Sequence, residues 1–338
     1  MKCFKCERKA VIELQNGPYC KEHFFYQLEE KITKTIKKYH LIDIEDKVCV
    51  ATSGGKDSLT VLYFTNLFCK ERNIPIFALM IDEGILGYRN KTKEDLELFC
   101  KNFDIELHTA SFKEVFGKTL DELSPVAYEK FGKKPCTICG VFRRVLLNVY
   151  ARKLGATKLV TGHNQDDESQ AFIMNVIQGH QKQNAALGPM AGLNDNEKYV
   201  RRIKPLYFVS EKESRVFCLL KNFKVDFAEC PYITQSYRAD IRDAINTLEE
   251  KYPATKSGII KSFLEIMPEL KQKYNSSNNN PDNSVKDNPN NKFKYCERCN
   301  EPCSGDVCNA CKIIEELDCT PISKEILESK KSKQHKHT

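Results

Sequence analysis

Short apolar runs alternate with longer segments of helical period through the first half of the chain. Residues 48–51, 76–81, 105–109 and 158–161 read as strands. Between them, 59–69, 94–103 and 141–154 repeat apolar residues at three- and four-residue intervals, the spacing of one helix face. Strand alternating with helix predicts an α/β fold built on a parallel sheet, with ligands bound at the carboxyl ends of its strands. Beyond the sheet, 209–222, 237–252 and 256–274 read as helices.

The pattern also divides the chain. Residues 275–292 are rich in Asn, Ser and Pro and too polar to bury, so a flexible linker is expected there. It separates a main domain, 27–274, from a small C-terminal module at 293–320, and a basic tail occupies 321–338. A second small module is expected at 1–26. Lys and Arg outnumber Asp and Glu by 53 to 46, a net charge of +7 over 338 residues. That balance is compatible with an anionic partner without requiring one. No apolar run is long enough to span a bilayer and no signal-peptide pattern opens the chain, so a cytoplasmic, membrane-free protein is expected.

Sixteen cysteines in such a chain point to metal chemistry rather than to disulfides. Cys3-x-x-Cys6 followed by Cys20-x-x-His23 has the pair spacing of a structural zinc site, with Asn16-Gly17-Pro18 as the expected turn between the pairs. Cys296-x-x-Cys299 and Cys308-x-x-Cys311 repeat the arrangement, and Cys303 between them could substitute for one ligand. Cys49, Cys69, Cys100 and Cys218 fall on apolar faces and read as small core residues. A third pair, Cys136-x-x-Cys139, stands alone in the middle of the chain, with Cys230 as the next candidate partner. Three thiolates suit an iron–sulfur cluster with one open iron, but thiol spacing equally allows a persulfide relay between Cys139 and Cys230, or a disulfide.

The first strand runs into Ser53-Gly54-Gly55-Lys56-Asp57-Ser58 and reopens as a helix. Gly54 and Gly55 can take positive φ and bring backbone N–H groups to an anion at a helix N-terminus; Lys56 adds a charge, and Ser53 and Ser58 add hydroxyl donors. The loop is shorter than the Walker cradle that serves terminal phosphoryl transfer. It resembles the PP-loop of the ATP pyrophosphatase superfamily, in which the loop grips the pyrophosphate end of ATP and leaves the α-phosphorus open.

With a metal-type module at each end, a central Cys-x-x-Cys and Thr161-Gly162-His163-Asn164-Gln165-Asp166-Asp167-Glu168, nearly the whole chain is similar to the TtuA/NcsA group of tRNA 2-thiouridine synthetases, which are TtcA-like. The resemblance implies an adenine nucleotide alpha-hydrolase-like PP-loop domain and a [4Fe-4S] cluster on Cys136, Cys139 and Cys230. It implies ATP contacts from Ala51, Ser53, Gly54, Gly55, Lys56, Asp57, Ser58, Ile81, Gly162 and Asp167, with Asp57 and Asp167 near Mg²⁺. Arg143 falls where several members carry a catalytic lysine. The implied reaction is adenylation of a tRNA uridine at its 2-oxygen, then replacement by sulfur from sulfide or from a thiocarboxylated ubiquitin-like carrier protein, in a homodimer.

Single residues also have plainer readings: Asp166 and Asp167 suit a helix N-terminus, His163 a structural histidine, and Asp82 a turn cap. Arg143, Arg144, Arg201, Arg202, Lys204 and Arg238 are candidate phosphate contacts for RNA. Other functions share parts of this pattern. A lysidine-type or amide-forming ligase would need neither iron nor sulfur, a cytidine 2-thiolation enzyme normally lacks the terminal modules, and a zinc-based RNA-binding protein would release no pyrophosphate.

Overall fold

The apolar run Val48–Ala51 lies at the centre of a five-stranded parallel sheet in the computed structural model, which describes residues 1–193, 195–225, 230–232, 237–275 and 294–328. Strand order across the sheet is Glu106–Ser111, Ile76–Asp82, Val48–Ala51, Lys158–Val160, Arg201–Ile203. The register pairs Val50 with Ala78 on one side and with Val160 on the other. Four strands answer the expected ones to within two residues at each end. The fifth, Arg-Arg-Ile, carries no apolar run because it is a three-residue edge strand.

Chain order reverses between Val48–Ala51 and Lys158–Val160, the position at the carboxyl ends of the strands where a sheet of this kind opens a crevice. The helices at 237–251 and 255–275 match expectation, and Glu211–Leu220 is shorter than expected by two residues at each end. Ser210 stops it there: its Oγ accepts from Glu213 N while Glu213 returns a bond to Ser210 N, a capping box. The expected linker and the basic tail from residue 329 onward lie outside the described residues, apart from Asn275, which ends the last helix of the main domain.

The core has two parts, one on each face of the sheet. On one face Phe24, Leu28 and Ile32 of helix Lys21–Lys38 pack with Leu59 and Leu62 of helix Lys56–Lys70 and with Phe217. On the other, Phe112, Phe116 and Phe142 gather over Leu79 and Leu159, with the Phe116 and Phe142 rings stacked 3.9 Å apart. Cys49, Cys69, Cys100 and Cys218 are buried in these cores as expected, and burial pushes the Cys69 and Cys100 thiols up to about 12.

Both small modules are fused to this body. In the first, the hairpin Ile12–Leu14 with Gly17–Tyr19 turns at Gln15-Asn16, so Gly17 and Pro18 belong to a strand rather than to the turn expected of them. Ile12 and Tyr19 of that hairpin enter the first core. In the second, Ala310, Ile313, Ile314 and Leu317 of Asn309–Glu316 and its exit enter the core beneath helix Pro135–Lys153. Arg152 clamps Glu301 with both guanidinium nitrogens, and Tyr199 donates to Pro302 O at 2.9 Å.

Candidate active site

The phosphate loop is the turn from Val48–Ala51 into Lys56–Lys70. Gly54 takes φ +77°, the left-handed region. It also lies hard against Thr92: a Cβ there would stand 2.3 Å from Thr92 Cγ2 and 3.0 Å from Thr92 O. Gly55, expected to share that conformation, instead has φ −77° and ψ 164° and is the extended residue preceding the helix. Hydroxyls organise the loop from within. Ser58 Oγ donates to Gly55 O at 2.8 Å and accepts from Ser53 N at 3.2 Å, so Ser58 is a staple of the loop and its proton is not offered to a ligand. Ala51 ends the strand below the loop, and Ile81 stands buried in the neighbouring strand, paired with Ala110. Asp82 accepts from Gly84 N at 2.8 Å, the turn-capping role its position allowed.

The loop leaving Lys158–Val160 is pressed against the first one. A Cβ on Gly162 would lie 3.0 Å from Asp57 C and 3.1 Å from Ser58 N, an approach that glycine permits. Asn164, to which sequence reasoning assigned no role, joins the two loops. Its Oδ1 accepts from Asp167 N at 3.0 Å and its Nδ2 donates to Asp57 Oδ1 at 3.1 Å, while Asp167 Oδ2 accepts from Asn164 N at 3.2 Å. This is a capping box on helix Gln165–Ile177, and the Asn-x-x-Asp spacing was the signal that could have revealed it. Asp167 is therefore both part of a helix start and a group of the cleft.

Lys56 Nζ lies 3.0 Å from Asp57 Oδ2 and 3.0 Å from Glu211 Oε1. Opposite them, Arg238 reaches Asp167 Oδ1 at 2.9 Å and Gln170 Oε1 at 3.0 Å. These groups, with Asp166 and Arg242, line a cleft of about 220 Å³. Enclosure pushes the Asp167 carboxyl up to about 6, against the pull of Arg238 and of the Asn164 N–H. His163 is held well below the ordinary histidine range by enclosure first and then by Lys204, Arg238, Arg143 and Arg202; its Nδ1 lies 2.8 Å from Thr161 Oγ1.

Helix Pro135–Lys153 carries Cys136 and Cys139 on its first turns and Arg143 one turn later, 3.5 Å from the buried carboxylate of Glu83. Cys230 reaches the same place on the segment Cys230-Pro231-Tyr232. That segment is anchored by Tyr232, whose hydroxyl donates to Asp121 at 2.6 Å and whose carbonyl accepts from Cys136 Sγ at 3.4 Å. Cys139 and Cys230 are half-buried and Cys136 is exposed. None of the three is disulfide-bonded, and they do not close into the tight sets found at the two ends. A cluster binds each sulfur to a different iron and so spaces its ligands more widely than one ion does. The chemistry of three soft donors beside a cleft fits such a group.

The terminal sets are tight. The ligand atoms of Cys3, Cys6, Cys20 and His23 all lie within 4.8 Å of one another, as do those of Cys296, Cys299, Cys308 and Cys311. Backbone N–H groups point at the sulfurs, Lys5 N to Cys3 Sγ at 3.4 Å and Cys308 N to Cys296 Sγ at 3.3 Å, which stabilises thiolate. Both sets fit one tetrahedral ion. Cys303 stands outside the second set with its thiol on Gly305 O at 2.9 Å, so it is not the substitute ligand its position suggested.

Of the six basic residues considered for RNA, Lys204 is the clearest correction: it is 6% exposed and paired to the buried Glu168 at 2.7 Å. Arg201 is paired to Asp195 and Arg238 to Asp167. Arg143 is paired with Glu83, and Arg144 and Arg202 line a cavity against the C-terminal module.

Comparison with known proteins agrees with this architecture. A family model described as a PP-loop domain matches residues 25–248. The chain is 31% identical over 332 residues to the tRNA 2-thiolation protein NcsA of Haloferax volcanii, covering 94% of this chain and 99% of that one. It is 32% identical over 318 residues to the tRNA-5-methyluridine(54) 2-sulfurtransferase of Pyrococcus horikoshii, covering 92% and 93%. The structure of the U34-tRNA thiolase NcsA from Methanococcus maripaludis with its [4Fe-4S] cluster superposes with a TM-score of 0.76 at 30% identity, covering 98% of this chain and 99% of that one. A matching PP-loop domain, near-complete coverage by relatives of this kind and a shared fold with its cysteine sets place the chain in the PP-loop family of tRNA 2-thiolation sulfurtransferases.

Proposed function

We propose that this chain binds Mg²⁺–ATP on the phosphate loop, adenylates the 2-oxygen of a tRNA uridine and replaces that oxygen by sulfur. The observation that carries the reading is the meeting of two loops at one crevice, tied by Asn164, beside a helix that presents Cys136, Cys139 and Arg143.

Lys56, now shared between Asp57 and Glu211, turns to the pyrophosphate end of ATP, and the N–H groups around Gly54 face the same anion. Asp57 and Asp167, both hydrogen-bonded to Asn164, would hold Mg²⁺, which would supply positive charge to the triphosphate. Ile81 borders the adenine and Gly162 leaves room for the nucleotide. The uridine 2-oxygen attacks the α-phosphorus and pyrophosphate leaves, with Lys56 facing the charge that develops on it. Arg143, one turn beyond Cys139 on the same helix and paired with Glu83, would supply a cation to the adenylated base. A nucleophilic sulfur then adds to C2 and AMP is expelled. Cys136, Cys139 and Cys230 would hold the [4Fe-4S] cluster, which would supply iron chemistry able to bind sulfide.

The sulfur source we propose is sulfide, free or released from a thiocarboxylated ubiquitin-like carrier. A homodimer is the assembly we propose. Zn²⁺ is the ion proposed for both terminal sets, on their four-ligand N/S chemistry. A cytoplasmic site of action agrees with sixteen cysteines and no disulfide among them, and among the described residues no helix is long and apolar enough to cross a membrane.

Anaerobic reconstitution followed by incorporation of labelled sulfide into unmodified tRNA tests the whole reading, with mass spectrometry of the digested nucleosides locating uridine 34 or 54. Lys56→Ala is expected to abolish pyrophosphate release, and Cys230→Ala to remove iron and thiolation while ATP still binds. Persistent iron and 2-thiouridine in Cys230→Ala would show the third ligand to be wrong.

A further inference from the structure

Between helix Pro135–Lys153 and the C-terminal module lies a second cavity of about 380 Å³, outside the ATP cleft. Its distinguishing feature is a pair of arginines. Arg144 and Arg202 both line it, and Arg202 donates to Arg144 O at 3.4 Å. Among the described residues neither forms an ion pair. Glu301, the carboxylate in the cavity wall, is already held by both guanidinium nitrogens of Arg152. Burial, and repulsion from neighbouring guanidinium groups, push both arginines below the ordinary arginine range. Arg144 is exposed and Arg202 partly buried, so a bound anion would offset the repulsion between the two guanidinium groups and take up donors that no carboxylate of the wall engages.

The rest of the wall suits a phosphate. Ser304 in the preceding loop and Asn309 at the start of helix Asn309–Glu316 offer side-chain donors, Lys312 stands exposed at the rim, and Cys299 and Cys308 of the terminal metal set complete that side. The cavity also points somewhere useful. The Arg144 side chain folds back over Gly140, where a Cβ would lie 3.3 Å from its Nη1, next to Cys139. One side of the cavity therefore touches the turn that bears the central cysteine pair, and the other is the metal-binding module itself.

We propose that this cavity is a phosphate site for the RNA substrate, with Arg144 and Arg202 as its principal ligands and Lys312 at its edge. A phosphodiester seated there runs between the C-terminal module and the reaction centre, which gives that module a role in presenting the uridine. The proposal rests on the tRNA reading above and adds to it the place where the backbone is held. The shared chemistry is a phosphate group, and the two sources are RNA and a free anion such as released pyrophosphate.

Anisotropy titrations of the metal-loaded full chain with unmodified tRNA, repeated across salt concentrations, test it. Arg144→Gln with Arg202→Gln is expected to weaken binding about ten-fold or more and to lower the slope of log affinity against log salt by about 1 to 2, with ATP binding and zinc content unchanged. Lys312→Glu, at an exposed position, is expected to weaken tRNA binding as well and does not depend on a half-buried arginine. Unchanged tRNA affinity in both variants overturns the proposal. If tRNA affinity holds but a pyrophosphate-induced thermal shift of the wild type vanishes in the double variant, the site belongs to a free anion and the RNA assignment falls. Zinc loss in the double variant with normal binding by Lys312→Glu makes the pair structural, which also overturns it. A wild-type chain that binds no tRNA rejects the thiolation reading itself, and this proposal with it.

Discussion

Replacing Gly54 by alanine should damage both the fold and the nucleotide site, by an amount the geometry sets. A non-glycine residue in the left-handed region costs about 1–2 kcal/mol. The new methyl would also stand 2.3 Å from Thr92 Cγ2 and 3.0 Å from Thr92 O. Thr92 cannot swing away freely, because it is buried and its hydroxyl donates to Tyr88 O at 2.8 Å. Overpacking of this kind adds about 1–3 kcal/mol, for a total of about 2–5 kcal/mol. Thr92→Ser removes the offending methyl and keeps the hydroxyl, so the double variant should recover about 1–2 kcal/mol while the cost of φ and of the carbonyl contact remains. The chain has no tryptophan, so urea unfolding is followed by tyrosine fluorescence and circular dichroism, completing a double-mutant cycle. ATP affinity, measured by calorimetry, should fall in Gly54→Ala and return in part with Thr92→Ser. Additive effects of the two substitutions, or a Gly54→Ala protein within about 0.5 kcal/mol of wild type, would refute the claim that Thr92 shapes the loop.

Two further substitutions separate structural from functional roles. Cys308→Ala should lower bound zinc from two ions per chain to one by elemental analysis, whereas Cys303→Ala should leave both; equal loss in the two variants would put Cys303 back among the ligands. Lys204→Gln should cost about 3–5 kcal/mol in chemical unfolding, since it strands the buried Glu168 carboxylate, yet leave the salt dependence of tRNA binding unaltered. A changed salt slope in Lys204→Gln would mean that this lysine reaches the RNA after all.

Local pattern alone determined much of this protein. The strand at the phosphate loop, the helix after it and the terminal metal-ligand sets follow from spacing of a few residues, because each is decided by interactions within one turn or one knuckle. The long helices were legible for the same reason. The edge strand Arg201–Ile203 was not, since its place comes from pairing with Lys158–Val160 rather than from apolar residues of its own. Only tertiary structure decided what like residues do. Gly54 and Gly55 look equivalent in the chain, but contact with Thr92, 38 positions away, is felt at Gly54 alone. Arg202 and Lys204 are two apart in one basic stretch; Lys204 turns to Glu168 and is neutralised in the core, while Arg202 turns to a cavity whose carboxylate, Glu301, is already held by Arg152. Charge and spacing are properties of the sequence. Which charges are compensated depends on what folding brings opposite them, and in this chain that separates a buried ion pair from a place for a ligand.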